Sequence, residues 1–251
     1  ACPVCSPTRG ALMTGKYPAR THITDFIAGA EYPFARLRQP PWQKFLPLSE
    51  TTIAEELAAR GYATALFGKW HLARGYTGQQ SIGEGPDKQG FAENFITHKP
   101  ESKHDPEKDA HGVEAITTRA IDFLGRHRTK PFFLYLAHNS IHAPIMAPRA
   151  LVEKHQARPG AGAPGNNPVI AAMMEVLDEG VGRVIAKLDA LGLRENTLVI
   201  FYSDNGGLLK DGAQTPWRGG KAQLYEGGLR VPLVMRWPGV IAAGKTSAAP
   251  V

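Results

Sequence analysis

Apolar residues recur at helical spacing in three long segments of the chain. The clearest segment is TTIAEELAAR at 51–60, where Thr51 or Thr52 can act as the N-cap and Gly61 follows the end. Two further segments with the same spacing lie at about 110–127 and at 168–191. The periodicity therefore predicts three helices, of which the last is the longest.

Short and almost continuously apolar runs alternate with these helical segments. They lie at 62–68, 131–139, 197–207 and 231–239. Helices alternating with buried strands predict an α/β fold, in which a mainly parallel sheet is sandwiched by helices. Two stretches rich in Gly, Pro and charge are predicted as long surface loops, at 75–108 and 155–167.

Polar side chains follow three of the predicted strands: Lys69 and His71 the first, His138, Asn139 and His142 the second, Asp204 and Asn205 the third. Because ligands bind beyond the carboxyl ends of the strands in such sheets, we expect these side chains to lie on one side. Each also has an ordinary structural interpretation, since lysines at strand ends are commonly solvated and lone histidines are commonly structural. The pattern alone leaves both interpretations open.

Composition and charge narrow the class of protein. The chain has 251 residues, of which 43% are hydrophobic and 21% charged, as in ordinary globular domains. No apolar run is long enough to span a membrane. The formal net charge of +6 and pI near 9.3 favour anionic partners. The basic residues are scattered rather than clustered, so nucleic acid is not the expected partner.

The stretch ACPVCSPTRG at the start of the sequence holds both cysteines. Cys2 and Cys5 form a C-x-x-C, which alone suggests either a redox pair or half of a zinc site, although no further cysteine or close histidine pair completes four zinc ligands. After it, Ser6 can cap a helix, Pro7 suits its first position and Gly15 can end it. Cys5 is therefore predicted at a helix N-terminus, where negative charge is stabilised.

At this point the sequence resembles a known family. CSPTR at 5–9 is similar to the C-x-P-x-R signature of the type I sulfatases in the alkaline phosphatase superfamily, and LMTGKYP continues it in the family's manner. GYATALFGKWH at 61–71 matches the second sulfatase signature. Similar segments follow in the family's order: HNSIHAPI at 138–145, SDNGG at 203–207 and GGKAQLYEGGLRVP at 219–232. Thr8 departs from the pattern, since Ser or Ala is commoner there.

The resemblance implies hydrolysis of sulfate monoesters, of carbohydrate or aryl type. In the family a maturation enzyme converts the cysteine, here Cys5, to formylglycine, whose hydrate is the nucleophile. By position, Arg9 holds the hydrate and the carboxylates on the metal side, and His71 assists proton removal. Lys69, His142 and Lys221 contact the sulfate, and Lys221 or His142 protonates the leaving alcohol.

The resemblance also implies a bound metal ion. Asp204 and Asn205 are hard oxygen donors suited to Ca²⁺, or alternatively Mg²⁺, although Asp-Asn-Gly-Gly is also good turn chemistry. In sulfatases the equivalent pair binds calcium together with the formylglycine oxygen and two acidic residues, which here would precede Ala1. We therefore expect the metal site to be incomplete in this chain.

The resemblance implies that residues 1–251 form a partial catalytic domain, without the N-terminal strand and C-terminal subdomain of the family. Such a fragment is expected to be poorly folded or inactive alone. Expected partners are a sulfated glycan or small molecule and the maturation enzyme, and related enzymes are usually periplasmic or secreted. GKYPARTHITDFI and QPPWQKF resemble bacterial sulfatases thought to act on sulfated sugars.

Three alternatives remain at this point. A phosphonate or phosphodiester hydrolase of the same superfamily can share the cysteine motif, but such enzymes tend to have Asp-His where this chain has Asp204-Asn205. A non-catalytic relative could bind sulfated glycan with the same basic pocket. A redox protein would instead predict a Cys2–Cys5 disulfide.

Overall fold

The computed structural model describes residues 2–30, 33–74 and 83–249. The helices in these ranges are α1 (Cys5–Thr14), α2 (Pro18–Thr21), α3 (Ile53–Ala58), α4 (Val113–Arg126), α5 (Arg149–Gln156), α6 (Pro168–Ala190) and α7 (Glu226–Leu229). The strands are β1 (Ala63–Gly68), β2 (Glu93–Ile96), β3 (Phe132–Ala137), β4 (Val199–Tyr202) and β5 (Leu233–Arg236). Short 3₁₀ helices lie at Pro86–Lys88 and Arg194–Asn196.

The central sheet is parallel, with β1 between β2 and β3. Because side chains alternate along a strand, β1 packs against helices on both faces. Leu66 belongs to a buried cluster with Met13 of α1, whereas Phe67 lies in a second cluster with Phe123 of α4 and Leu188 of α6. The predicted α/β sandwich is therefore confirmed.

The second sheet differs from the prediction of a single, mainly parallel sheet. β4 pairs with β5 in the antiparallel sense, and the two form a separate two-stranded sheet among the described residues. Its apolar side chains at Ile200, Phe201, Val234 and Met235 are exposed. The predicted strands at 197–207 and 231–239 were thus placed correctly but are shorter than expected.

The prediction of a loop over 75–108 was wrong in part, because this segment contains β2. This strand pairs with β1, and its charged residue Glu93 forms an ion pair of 2.7 Å with Arg126 of α4 instead of facing water alone. Residues 75–82 lie outside the described ranges. The predicted loop at 155–167 also begins too early, since α5 continues to Gln156.

Two helix starts show which side chains cap them. At α3, the Thr52 side chain accepts a hydrogen bond from the backbone amide of Glu55, and the Glu55 carboxylate accepts one from the backbone amide of Thr52. This capping box confirms the predicted start of the helix. At α1, the N-cap is Val4 and not Ser6, which lies inside the first turn. The end of α1 at Gly15 is as predicted, with a left-handed φ of 66°.

None of the helices in the described ranges is long and apolar enough to cross a membrane.

Candidate active site

Cys5 is the first residue of α1 and is buried, with 3% exposure. The next residue, Ser6, joins α1 to two other segments instead of capping the helix. Its hydroxyl donates to the carbonyl of His71 at 2.9 Å and accepts the amide of Ile27 at 3.0 Å. The segment that follows β1 is thereby fixed against the start of α1.

Arg9 lies one turn further along α1 and binds three other parts of the site. Its Nε and Nη2 donate to Asp204 Oδ2 at 3.0 and 2.8 Å. Its Nη1 donates to the carbonyl of Lys69 at 2.9 Å and to the hydroxyl of Tyr135 at 3.3 Å. Burial raises the pKa of the Asp204 carboxyl, but the positive charges of Arg9 and Lys69 lower it by more. The resulting pKa is about 2.

Lys69 follows β1 directly and is 5% exposed. The backbone turns there because Gly68 has a φ of 122° and lies so close to β3 that a Cβ would be 2.0 Å from the carbonyl oxygen of Ala137. The Lys69 side chain hydrogen-bonds to that of Cys5, and burial together with Arg9 lowers the pKa of its amine. The side-chain nitrogen of Lys69 therefore lies beside the Cys5 sulfur.

His71 presents a defined tautomer. Its Nε2 bonds to the carbonyl of Ile27, and because a carbonyl can only accept, Nε2 carries the hydrogen and Nδ1 has the lone pair. Burial and the nearby Lys69 lower the pKa of the ring to about 3, so the imidazole is neutral at neutral pH. A neutral imidazole with a lone pair on Nδ1 can accept a proton.

His142 lies in the loop after β3. Its Nδ1 donates to the carbonyl of Ala143 at 2.7 Å, which leaves the lone pair on Nε2. Burial, followed by the charges of Lys221 and Lys69, lowers the pKa of the ring to about 4. The ring thus lies near lysine side chains, including Lys221 and Lys69, and is neutral at neutral pH.

The segment that carries Lys221 is packed by glycines. A Cβ on Gly206 would lie 1.8 Å from the carbonyl oxygen of Gly227, and one on Gly227 would lie 2.0 Å from that of Gly219. The amide of Lys221 donates to the carbonyl of Gly207 at 2.9 Å. This close backbone packing brings Lys221 near Asp204, whose pKa it helps to lower.

The donors for a metal ion lie next to Cys5. Its Sγ is 3.3 Å from Oδ1 of Asn205, and the neighbouring Asp204 is held by Arg9. These oxygens fit the hard-donor chemistry of Ca²⁺ or Mg²⁺. Ca²⁺ takes about 6 to 8 oxygens, and the described ranges contain no group of three or more His, Cys, Asp or Glu that could hold a metal. The pair therefore fits part of a coordination shell.

The eight residues proposed from the sequence lie in one connected cluster. The links are Cys5–Asn205, Cys5–Lys69, Arg9–Lys69, Arg9–Asp204, Lys69–His71, Lys69–His142 and Lys221–His142. Both cysteines are free thiols. Burial raises the pKa of Cys2, whereas a reactive redox thiol needs a lowered one.

Sequence reasoning missed several residues that support this cluster. Tyr135 is a polar residue within an apolar strand, a signal that could have identified it as a buried hydrogen-bond partner. Lys99, whose charge also acts on His142, follows β2 and was hidden by the failure to predict that strand. His111 bonds to the carbonyl of His142 from the loop before α4, where no motif marks it.

Comparison with known proteins agrees with this geometry. A sequence model of the family described as Sulfatase matches residues 1–251. The chain is 32% identical to human arylsulfatase A over 97% of its own length and 51% of that protein. It is 31% identical to mouse N-acetylgalactosamine-6-sulfatase over 98% of its length and 51% of that protein. The chain thus spans about half the length of these relatives.

Solved structures show the same similarity. Ps i-CgsB in complex with k-i-k-neocarrahexaose is 28% identical, with a TM-score of 0.79 over 100% of this chain and 59% of that one. A phosphonate monoester hydrolase from Silicibacter pomeroyi shares the fold, with a TM-score of 0.60 at 18% identity. The buried cysteine at the start of α1, the cluster around it and the match over the whole chain lead to one conclusion: the chain belongs to the sulfatase family.

Proposed function

We propose that this site hydrolyses sulfate monoesters and that Cys5, matured to formylglycine, occupies the position of the nucleophile. One observation carries the proposal: Cys5 lies at the N-terminus of α1 between the side chains of Lys69 and Asn205. A cation on one side and a metal-binding oxygen on the other suit an anionic group that reacts at this position.

Three side chains are suited to hold the sulfate group. They are Lys69, Lys221 and His142. The two lysines contribute positive charge, and the charge of each lowers the pKa of the His142 ring. Lys69 is buried, so its charge is less screened than that of a surface lysine. Fixed cations around an anion whose charge shifts in the transition state are commonly the largest catalytic contribution.

Formylglycine, once formed from Cys5, would supply a hydrated aldehyde, with one hydroxyl as a nucleophile for sulfur and a second that would allow release of the sulfate. Arg9 maintains the ionised Asp204 beside this group through two hydrogen bonds. His71, neutral and with its lone pair on Nδ1, is suited to take a proton during the release.

The proton for the leaving alcohol is better assigned to Lys221 than to His142. His142 commits its Nδ1 hydrogen to Ala143, and its lowered pKa leaves no second hydrogen on the ring at neutral pH. Lys221 lies close enough to His142 to affect the pKa of that ring, and its ammonium group has hydrogens to donate. His142 can then accept a hydrogen bond from substrate through Nε2.

Asp204 and Asn205 would hold part of the coordination shell of a calcium ion, which would neutralise charge on the sulfate oxygens. Their positions fit this role because Asn205 Oδ1 already lies 3.3 Å from Cys5 Sγ. Magnesium is the alternative ion of the same chemical class.

The substrate class is proposed to be a sulfated carbohydrate. The structure of Ps i-CgsB, at 28% identity, contains a neocarrahexaose, and N-acetylgalactosamine-6-sulfatase is named for a sulfated sugar. The net charge of +6 favours such anionic substrates. Maturation requires a formylglycine-generating enzyme as a partner.

The test is turnover by the full native protein, made together with a formylglycine-generating enzyme and supplied with calcium. Sulfated oligosaccharides, an aryl sulfate and an aryl phosphonate are compared as substrates. Cys5→Ser should lose about 10³-fold or more in kcat, since serine cannot provide the hydrated aldehyde. Cys2→Ser is the matched control and should retain activity, because Cys2 contacts Thr8 and not the proposed site residues, and a serine hydroxyl can replace the thiol in that contact.

Faster turnover of the phosphonate than of every sulfate ester would replace the proposal with the phosphonate alternative. Equal activity of Cys5→Ser and the native protein would exclude Cys5 as the precursor of the nucleophile. Tight binding of sulfated oligosaccharide by the matured protein without any turnover would favour the non-catalytic alternative.

A further inference from the structure

His111 lies in the loop directly before α4 and is only 5% exposed, although it belongs to none of the sequence motifs. Its Nε2 is 3.0 Å from the carbonyl oxygen of His142. Because that oxygen can only accept, the ring of His111 donates the hydrogen bond. The ring also makes a backbone contact to Pro144.

The loop that His111 contacts is the one that presents His142 to the site. Two hydrogen bonds within the loop shape it, from the amide of His142 to the carbonyl of Asn139 at 2.8 Å and from Nδ1 of His142 to Ala143. Two others join it to neighbouring elements. Asn139 Nδ2 donates to Thr97 Oγ1 at 2.8 Å after β2, and His111 holds the other end of the loop.

His111 is itself held firmly by the start of α4. The carboxylate of Asp109 accepts hydrogen bonds from the backbone amides of Glu114 and Ala115, each at 2.9 Å. The backbone carbonyl of Asp109 accepts one from the amide of Gly112 at 2.8 Å. These bonds close the backbone around His111 and anchor it to the first turn of the helix. α4 packs against the central sheet through a buried cluster that includes Phe123.

We propose that His111 is a positioning residue, which fixes the direction of the His142 ring by anchoring the backbone carbonyl of His142 to the start of α4. The inference rests on the proposed function, in which His142 contacts the sulfate ester. His111 itself is not a catalytic residue, because it reaches the site through His142.

Loss of this bond has a definite physical consequence. The carbonyl of His142 would lose its hydrogen-bond donor in the loop before α4, and its own loop could shift to find another donor. A displacement of about 1 Å in a group that contacts substrate can cost on the order of 10²-fold in rate. The same shift would expose the His142 ring to water, and loss of the burial that lowers its pKa would move that pKa upward.

The experiment compares His111→Ala with His111→Gln, whose amide nitrogen can donate from nearly the position of Nε2. The matched control is His127→Gln at the opposite end of α4, where the ring Nε2 bonds to Glu93 at 3.1 Å and touches no part of the site. Two quantities are measured in the full native protein: kcat and KM with a sulfate ester, and the pKa of the His142 ring by NMR. The second requires no turnover.

We expect His111→Ala to lose about 10- to 100-fold in kcat and to raise the pKa of His142 toward that of a free histidine. His111→Gln should keep kcat and the pKa of His142 close to those of the native protein. His127→Gln should change neither kcat nor the pKa of His142. If His111→Ala matches His127→Gln in kcat and in the pKa of His142, the proposal is wrong. If the native protein has no sulfatase turnover but the pKa of His142 still rises in His111→Ala alone, the proposed function fails while the positioning role stands.

Discussion

At the scale of single residues, Arg9 combines burial, charge and geometry more fully than any other side chain described in the site. Its exposure is 6%, and its guanidinium makes hydrogen bonds to Asp204, to the Lys69 carbonyl and to Tyr135. A planar fork of donors can serve all three partners at once, which the single ammonium of lysine cannot. Arg9 therefore links α1 to the ends of β1 and β4 and to Tyr135 within β3.

Arg9→Lys should consequently destabilise the protein even though it conserves charge. At least one buried acceptor would be left without its donor, which costs about 1–3 kcal/mol. The control is Arg126→Lys, because Arg126 also binds a carboxylate through two nitrogens but is exposed, so its loss should cost less than about 1 kcal/mol. Chemical unfolding measures both, and equal losses in the two variants would contradict this account of Arg9.

Sequence patterns marked the side chains of the proposed site better than the side chains that hold them in place. Cys5, Lys69 and His71 were found because they lie in motifs or directly after a strand. Ser6 was assigned to a helix cap, since a serine before a helix ordinarily has that role, whereas its hydroxyl joins His71 to Ile27. Such partners are far apart along the chain, so no local pattern reveals them.

At the scale of elements, the contact between α4 and α6 depends on a glycine. A Cβ at Gly180 would lie 2.7 Å from Thr117 Oγ1 and 3.0 Å from Val113 Cγ1. Thr117 is buried and its hydroxyl is bonded to the carbonyl of Val113, so it cannot easily move aside. α4 and α6 can approach each other closely at this point because Gly180 has no side chain.

A matched pair on the same helix tests this contact. Gly180→Ala should destabilise the protein by about 1–3 kcal/mol, because it overpacks the interface between the helices. Gly182→Ala should instead stabilise it by roughly 0.5–1 kcal/mol, since nothing lies within 4 Å of its Cβ position and alanine is the better helix former. Thermal unfolding of both variants gives the signs, and a stabilising Gly180→Ala would show that the helices are not closely packed there.

Most elements could be predicted from the sequence because their periodicity is strong. α6 was expected at 168–191 and spans Pro168–Ala190. β2 could not be recognised, because Glu93–Ile96 is only four residues long and begins with a charged and a polar residue. Its strand conformation depends on parallel pairing with β1, a contact between distant parts of the chain. The antiparallel partnership of β4 and β5 is of the same non-local kind.

At the scale of the whole molecule, folding suppresses protonation of several histidines. Burial lowers the pKa of His138 to about 4 and that of His71 to about 3, and His138 Nδ1 is buried without a hydrogen-bond partner among the described residues. An unfolded histidine has a pKa near 6.5. Between about pH 6.5 and 4 the unfolded chain therefore binds protons that the folded chain does not.

The free energy of unfolding should accordingly fall as the pH falls through this window. Each such histidine contributes up to about 1.4 kcal/mol per pH unit. Replacing His138 with glutamine should make the dependence shallower. Denaturant unfolding at pH 7, 6 and 5 measures the slopes, and constant stability over that range would contradict the assignment of neutral buried histidines.

The central claim is that Cys5 is the precursor of the nucleophile, and one measurement tests it most directly. Tryptic digestion of the full native protein, made with its maturation system, yields the peptide that ends at Arg9 and contains Cys5. Mass spectrometry of that peptide should show the aldehyde or its hydrate at position 5 and an unchanged thiol at Cys2. A persistent thiol at Cys5, or a disulfide between Cys2 and Cys5, would contradict the account.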